Sequence, residues 1–308
     1  MKDIKVLFMG TPEISVKVLD NLNKYTNIVG VITKKDAYVG RKKILTPCPV
    51  KEYAINNNLN VYSPDSINDV YNFIVECKPD IIITCAYGKI LTKEILDYPR
   101  LGCINIHASL LPKYRGASPI QSAIMNGDSI TGITLMYMEE GLDTGDIIKQ
   151  DSIKIDPLDN YETLTNKLSD LASKMIIGEL PNIINETNNR IKQDAGSASY
   201  VGVIKRSDEH LDFNTNAANI YNKVRALYPS PLANFILDDL EYKLVSCEIV
   251  DVSGKSGYIV LEDKESFTIM AKDKGVRVLK IKPPGKGIMS VKDFKNGYKS
   301  SLVGKEIK

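Results

Sequence analysis

Along its first half this chain alternates short, nearly all-apolar runs with stretches of helical periodicity, and that alternation limits the possible folds more than any other feature. The apolar runs are Ile4 to Met9, Ile28 to Thr33, Asp80 to Cys85 and Gly102 to His107, each of strand length. A strand that is apolar at consecutive positions has both faces buried, as happens when helices cover both sides of a parallel sheet. Helical spacing follows the turn Gly10-Thr11-Pro12 as far as Asn21 and recurs over Pro49 to Asn56, Asn68 to Cys77, Ser118 to Met125 and about Asn160 to Leu180. Pro12 suits the first turn of its helix, where the N–H it lacks would have no partner. Gly132 to Met138 and Asp146 to Ile155 read as further strands. The prediction is an α/β, Rossmann-like domain with a mainly parallel sheet.

Beyond residue 190 the pattern changes. Gln193 to Tyr200 is polar, small and helix-poor, which predicts a linker. A helix over Ala217 to Ala226 is followed by short alternating runs at Tyr242–Val250, Gly257–Leu261, Phe267–Ala271 and Val276–Ile281. Turn residues such as Ser253-Gly254-Lys255 and Pro283-Pro284-Gly285 separate them, a spacing that predicts a small, OB-like C-terminal β-barrel. A length of 308 residues favours two domains. The expected division is residues 1–190, a linker at 191–207, and a barrel at 208–308. No run of about 18 apolar residues is present, so no membrane span is expected. The run at Ile4 to Met9 is short and follows Asp3, as a buried strand would, and the expected location is the cytoplasm.

Five cysteines are scattered without a CxxC pair, which argues against a disulfide framework or a zinc site. Cys85, within Ile81 to Ala86, reads as a small hydrophobe. Cys103, near His107, is a conceivable nucleophile only if a regular strand turns it to the same side as Asn105. The turn at Gly10 does not make a GxGxxG fingerprint, and Gly285-Lys286-Gly287 lacks P-loop spacing. Neither a dinucleotide cofactor nor a metal is expected.

Net charge is +2, but residues 272–308 hold 11 basic against 3 acidic residues, a local +8. Lys34, Lys35, Arg41, Lys42 and Lys43 form a second basic cluster, interrupted only by Asp36. Either these surfaces meet a polyanion, or they are lysine-rich faces in contact with water.

Of the two histidines, His210 lies in a polar stretch and reads as a surface or linker residue. His107 ends an apolar strand two residues after Asn105, so both side chains leave the same face. The end of a parallel strand is where open α/β sheets build their sites. A plain hydrogen-bonded pair at a strand end remains the other reading. The loop Ala108 to Pro119 carries two prolines and a glycine, and Glu139-Glu140-Gly141-Leu142-Asp143-Thr144-Gly145 has glycines that permit close backbone approach.

Taken in order, Asn105-x-His107, Ser109-Leu110-Leu111-Pro112, Tyr114-Arg115-Gly116 and Asp143-Thr144-Gly145 resemble the folate-dependent formyltransferases. The likeness extends from Val6–Pro12 through Gly40–Lys51 and Ala86–Leu91 to Arg225–Pro231 and Pro284–Met289. Within the family the chain is similar to members acting on methionyl initiator tRNA. The absence of Trp is a departure, with Phe213 one of the residues standing at positions the family often fills with Trp. The resemblance implies formyl transfer from 10-formyltetrahydrofolate, as co-substrate, to the α-amine of initiator methionyl-tRNA, by a monomer. It implies Asn105, His107 and Asp143 as catalytic residues. Ser109, Leu110, Leu111 and Pro112 would line the folate site, with Tyr87, Gly88, Gly141 and Leu142 flanking the pterin. Arg41, Lys42 and Lys43 would meet the acceptor end of the tRNA, Arg41 most directly, and the basic barrel would follow its phosphates. Two rivals are a formyltransferase for a small amine, such as a nucleotide-linked sugar, and a catalytically silent RNA-binding protein.

Overall fold

The apolar runs of the first half become strands of one sheet in the computed structural model, which describes residues 1–40, 42–66, 68–298 and 300–308. Two compact units divide the chain: unit 1 holds Met1–Pro119, Ile130–Lys154 and Thr165–Val201, and unit 2 holds Ile120–Ser129, Ile155–Leu164 and Gly202–Lys308. The elements begin with β1 (Lys5–Gly10), α1 (Glu13–Tyr25), β2 (Asn27–Ile32), β3 (Ala37–Val39), β4 (Ile44–Thr46), α2 (Pro49–Asn56) and β5 (Val61–Tyr62). Next come α3 (Asn68–Cys77), β6 (Ile81–Cys85), α4 (Lys93–Leu96), β7 (Cys103–His107), β8 (Arg115–Gly116) and α5 (Pro119–Met125). Then follow β9 (Ile130–Tyr137), β10 (Ile147–Lys154), α6 (Tyr161–Ile184) and β11 (Tyr200–Val201).

Seven strands of unit 1 form a sheet in the order β10-β9-β7-β6-β1-β2-β5. The pairs from β7 to β5 are parallel, while β9 runs antiparallel to both neighbours. The expected mainly parallel α/β sheet is therefore present. Val6 to Met9 and Ile81 to Ile83 are fully buried, and each such side chain contributes roughly 1.5–3 kcal/mol by leaving water. Helix α1 turns Ile14, Ser15, Val18, Leu19 and Leu22 inward and ends at Thr26, whose N–H and Oγ1 both donate to the Leu22 carbonyl.

Differences from the expectations set by the sequence have plain physical causes. The basic stretch expected as a loop contains an antiparallel hairpin, β3 with β4. Tyr38, Val39, Ile44 and Leu45 suit strands, and Gly40 and Lys43 take the left-handed backbone a tight connection requires. All four of those apolar side chains are exposed, as are Lys42 and Lys43; Arg41 lies outside the described residues. Helix α6 continues past Pro181, because its apolar stripe from Leu164 to Leu180 extends to the buried Ile183. Residues 191–201, within the expected linker, are tied to unit 1: Ile191 pairs with Ile147, and β11 pairs with β8.

Unit 2 adds α7 (Ala217–Ala226), β12 (Ala233–Leu237), β13 (Leu240–Val250), β14 (Ile259–Glu262), β15 (Phe267–Met270), β16 (Gly275–Lys282), β17 (Met289–Ser290) and α8 (Val291–Gly297). Its strands run antiparallel in the order β12-β13-β16-β15-β14, with β17 beside β16. β12 is a strand the periodicity does not predict. It joins β13 through Asp238-Asp239, both left-handed, a turn less recognisable than Asn-Gly. Residues 304–308 close the sheet into a barrel: Gly304, Lys305 and Ile307 exchange backbone bonds with Gly257 and Ile259, while Lys308 pairs with Ile236 of β12. Phe235, Leu244, Phe267, Ile269, Val276 and Val278 fill its core beneath Ala217, Ile220 and Val224 of α7.

Removing residues 304–308 eliminates six backbone hydrogen bonds and the buried Ile307. At about 1 kcal/mol per bond plus roughly 1.5–3 kcal/mol for the lost side chain, unit 2 is expected to lose roughly 7–9 kcal/mol, read as an earlier denaturant transition. A second expectation concerns Asp80, which accepts from the Lys5 N–H and from Arg100 across the start of β1 and β6. Burial pushes its carboxyl up, but those donors together hold it below the ordinary value of 3.8. Its stabilising contribution is complete above that value and is lost as pH falls through the lower folded-state pKa. Asp80→Asn should therefore flatten the acid end of the stability–pH curve, measured by urea unfolding from about pH 5 downward.

Candidate active site

β7 delivers Asn105 and His107 from one edge of the parallel part of the sheet, and the loop after β9 brings Asp143 to them. Asn105 Nδ2 donates to Asp143 Oδ1 at 3.2 Å, and His107 Nδ1 stands 3.6 Å from Asp143 Oδ2. His107 is 6% exposed and the Asp143 side chain 14%, so the carboxylate acts in a region largely shielded from water. The three residues paired by the sequence reading are thus neighbours.

Each has its orientation set by a further contact. Thr84 Oγ1 on β6 donates to Asn105 Oδ1 at 2.8 Å, which turns the amide nitrogen toward Asp143. His107 Nε2 lies 2.8 Å from the Tyr114 carbonyl, which only accepts, so Nε2 carries a proton and Nδ1 faces the carboxylate. The Gly116 N–H donates to Asp143 Oδ2 at 2.8 Å. Asp143 itself has φ +51, an uncommon conformation for a non-glycine residue.

The loop geometry depends on small residues. A Cβ on Gly145 would meet the Tyr137 carbonyl oxygen at 2.0 Å, and one on Gly116 (φ +115) would meet the Val201 oxygen at 2.2 Å. Neither neighbour is a flexible side-chain tip, so neither glycine admits even alanine without moving backbone.

The residues expected around a folate divide into two groups. Ser109, Leu110, Leu111 and Pro112 form a tight turn beyond β7. Ser109 Oγ donates to the Lys113 carbonyl at 2.6 Å, and Leu111 is buried with Met136 and Ile147. Leu110 leans over Gly132. The side chains of Ser109 and Leu111 are therefore occupied with structure. Tyr87 is buried, and its hydroxyl has no partner among the described residues; the hydroxyls of Thr11, Thr144 and Thr165 share that condition. Burial pushes the Tyr87 phenol up to about 12, so it stays a neutral donor. Gly88 takes φ +76 beside it, whereas Gly141 and Leu142 are exposed on the Asp143 loop.

Cys103 is removed as a nucleophile. Its thiol is buried against the Ile95 and Leu96 carbonyls at 3.6 and 3.8 Å, and burial pushes its pKa up to about 12. Among the described residues no group of three His, Cys, Asp or Glu is placed to hold a metal ion, and no helix is long and apolar enough to cross a membrane. Thr84, the Tyr114 carbonyl and Gln193 are contributors that sequence reasoning missed. The Tyr114-Arg115-Gly116 motif was the available signal for one of them; nothing marks Gln193.

Residues 2–180 match the family model described as formyl transferase, and residues 203–299 match that of formyl transferase, C-terminal domain. A methionyl-tRNA formyltransferase of Staphylococcus epidermidis is 42% identical over 305 residues, covering 98% of each chain. That of Macrococcus caseolyticus is 40% identical over 302 residues, covering 97% of each. Among solved structures, the N-formyltransferase from Helicobacter canadensis in complex with folinic acid and dTDP-3-aminofucose is 23% identical, with a TM-score of 0.68 over 89% of this chain and 98% of that one. At that identity the likeness concerns the fold.

Gly145→Ala is expected to displace the Asp143 loop and release the Gly116 N–H from the carboxylate. A hydrogen bond to a charged group is worth about 1.5–3 kcal/mol, so that amide should exchange with solvent at least about tenfold faster. Native-state hydrogen exchange followed by NMR reads this directly.

Proposed function

The chain belongs to the formyl transferase family, and on that premise we propose that it moves a formyl group from 10-formyltetrahydrofolate to the α-amine of methionyl initiator tRNA. The observation that carries the reading is likeness along almost the whole chain, through both units, to methionyl-tRNA formyltransferases. A monomer working in the cytoplasm is part of the same proposal.

The chemistry follows from the polar cluster. A free α-amine has a pKa of roughly 7.7–8.0, so near neutrality an attacking neutral amine needs only modest base assistance. Its nitrogen attacks the formyl carbon and the carbonyl oxygen becomes an oxyanion. One N–H of Asn105 Nδ2 is engaged by Asp143, and the second is available to that oxygen. The proton leaving the amine goes to His107 Nδ1, where the Asp143 carboxylate meets the positive charge. As the carbon–nitrogen bond to the folate breaks, the same proton passes to the departing nitrogen.

The polyanionic substrate accounts for the basic surfaces. Within unit 2, Lys274, Arg277, Lys292, Lys295, Lys305 and Lys308 pair with acidic residues. Lys280, Lys282 and Lys286 are exposed and form no ion pair among the described residues, which leaves them for phosphates. In unit 1, the exposed Lys42 and Lys43 beside Tyr38 and Ile44 offer charge and apolar surface to a single-stranded end. Ser109 to Pro112 act in this scheme by shaping the turn after His107, and Gly88, Gly141 and Leu142 through their backbone.

With formyl-folate and charged initiator tRNA, Asn105→Ala should lower kcat about 10²–10³-fold with KM little changed. The Lys280→Ala/Lys282→Ala/Lys286→Ala protein should keep kcat but bind tRNA more weakly, with the log–log salt slope shallower by about 2. Formylation of a nucleotide-linked amino sugar in preference to the tRNA would overturn the substrate assignment.

A further inference from the structure

Gln193 sits in a stretch with the composition of a linker, yet its side-chain amide is fully engaged at the site. Nε2 donates to the carbonyls of Asp143, at 2.9 Å, and Gly145, at 2.8 Å. Oε1 accepts from Arg115 Nε at 3.1 Å and Nη2 at 2.8 Å. A guanidinium only donates and a carbonyl only accepts, so these four partners allow one orientation of the amide. Arg115 is itself 3% exposed, held by the Tyr200 hydroxyl at 3.0 Å and lying over the Tyr200 ring.

We propose that Gln193 and Arg115 are positioning residues that hold Asp143 in its left-handed backbone and so fix its carboxylate against Asn105 and His107. The inference rests on the formyl-transfer reading above. The contacts form a closed circuit. Gln193 clamps the carbonyls on either side of Thr144, and Arg115 orients Gln193. The next residue after Arg115 returns a backbone N–H to Asp143 Oδ2. Without the clamp two carbonyl oxygens lose their donor, and the φ of +51 at Asp143 loses what maintains it. The carboxylate then wanders from the Asn105 amide and the imidazole. The Gly116 N–H alone does not specify the backbone beneath the carboxylate, because it binds only the side chain.

Gln193→Glu is the informative variant. It keeps the volume and both bonds from Arg115, but it turns an acceptor toward the two carbonyls. The full chain is assayed with formyl-folate and methionyl initiator tRNA, alone and in the Asp143→Ala background, with thermal melts alongside. Displacing a catalytic group by about 1 Å can cost about 100-fold, so kcat should fall about 10–100-fold while both KM values stay within about twofold. In the Asp143→Ala background the same change should cost nothing more, because the group it positions is gone. A Gln193→Glu protein with wild-type kcat, or losses that multiply with Asp143→Ala, would overturn the inference. Should Gln193→Glu fail to fold, Gln193→Met is put through the same cycle with the same expectation. If Asp143→Ala alone keeps wild-type kcat, the active-site reading itself has failed; if it is slow while the Gln193 variant is fast, only the positioning role falls.

Discussion

One carboxylate, placed by backbone rather than by its own side-chain freedom, is the constraint on which the site depends. Asp143 takes an uncommon φ and accepts from the Gly116 N–H and Asn105 while facing His107. Its surroundings are shielded, so each donor counts for more than it would in water, and each missing donor would cost more. That is why small residues stand on both sides: Gly145 lets the loop pass the Tyr137 carbonyl, and Gly116 lets its strand pass Val201.

The sheet supplies the rigidity against which this loop is set. β7 is bonded on both sides, to β6 and β9, so Asn105 and His107 cannot shift along their strand without breaking two ladders. The register opposes Thr84 to Asn105 on β6, which places the threonine hydroxyl where it fixes the amide. Thr134 on β9 stands opposite His107 and is bonded to the Ser109 carbonyl and the Leu111 N–H. The turn from Ser109 to Pro112 is therefore the brace beneath the histidine.

Charge behaves differently in space than in composition. The surplus at 272–308 looks uniform along the chain, yet folding pairs many of those cations with acids drawn from 238–265. Exposed pairs of this kind add little stability, about 0–1 kcal/mol each, but they narrow the cationic surface to a few lysines. The same folding converts a basic loop into a hairpin that displays apolar side chains beside its charge.

The apolar strands of the first half, β1, β2, β6 and β7, were legible in the sequence, because apolar runs and helical spacing reflect which faces leave water. The resemblance to the family was carried by the motifs around Asn105, His107 and Asp143, and the family models matching residues 2–180 and 203–299 bear it out. Legibility stopped where a residue's role depends on a partner distant in the chain. Gln193 carries no local signal, since an amide in a polar stretch gains meaning only when two carbonyls 48 and 50 positions away converge on it. The Asp238-Asp239 turn and the closing of the barrel by its last residues are also long-range outcomes, decided by strand pairing. Local periodicity records burial; the aim of each hydrogen bond exists only once the backbone has been folded around it.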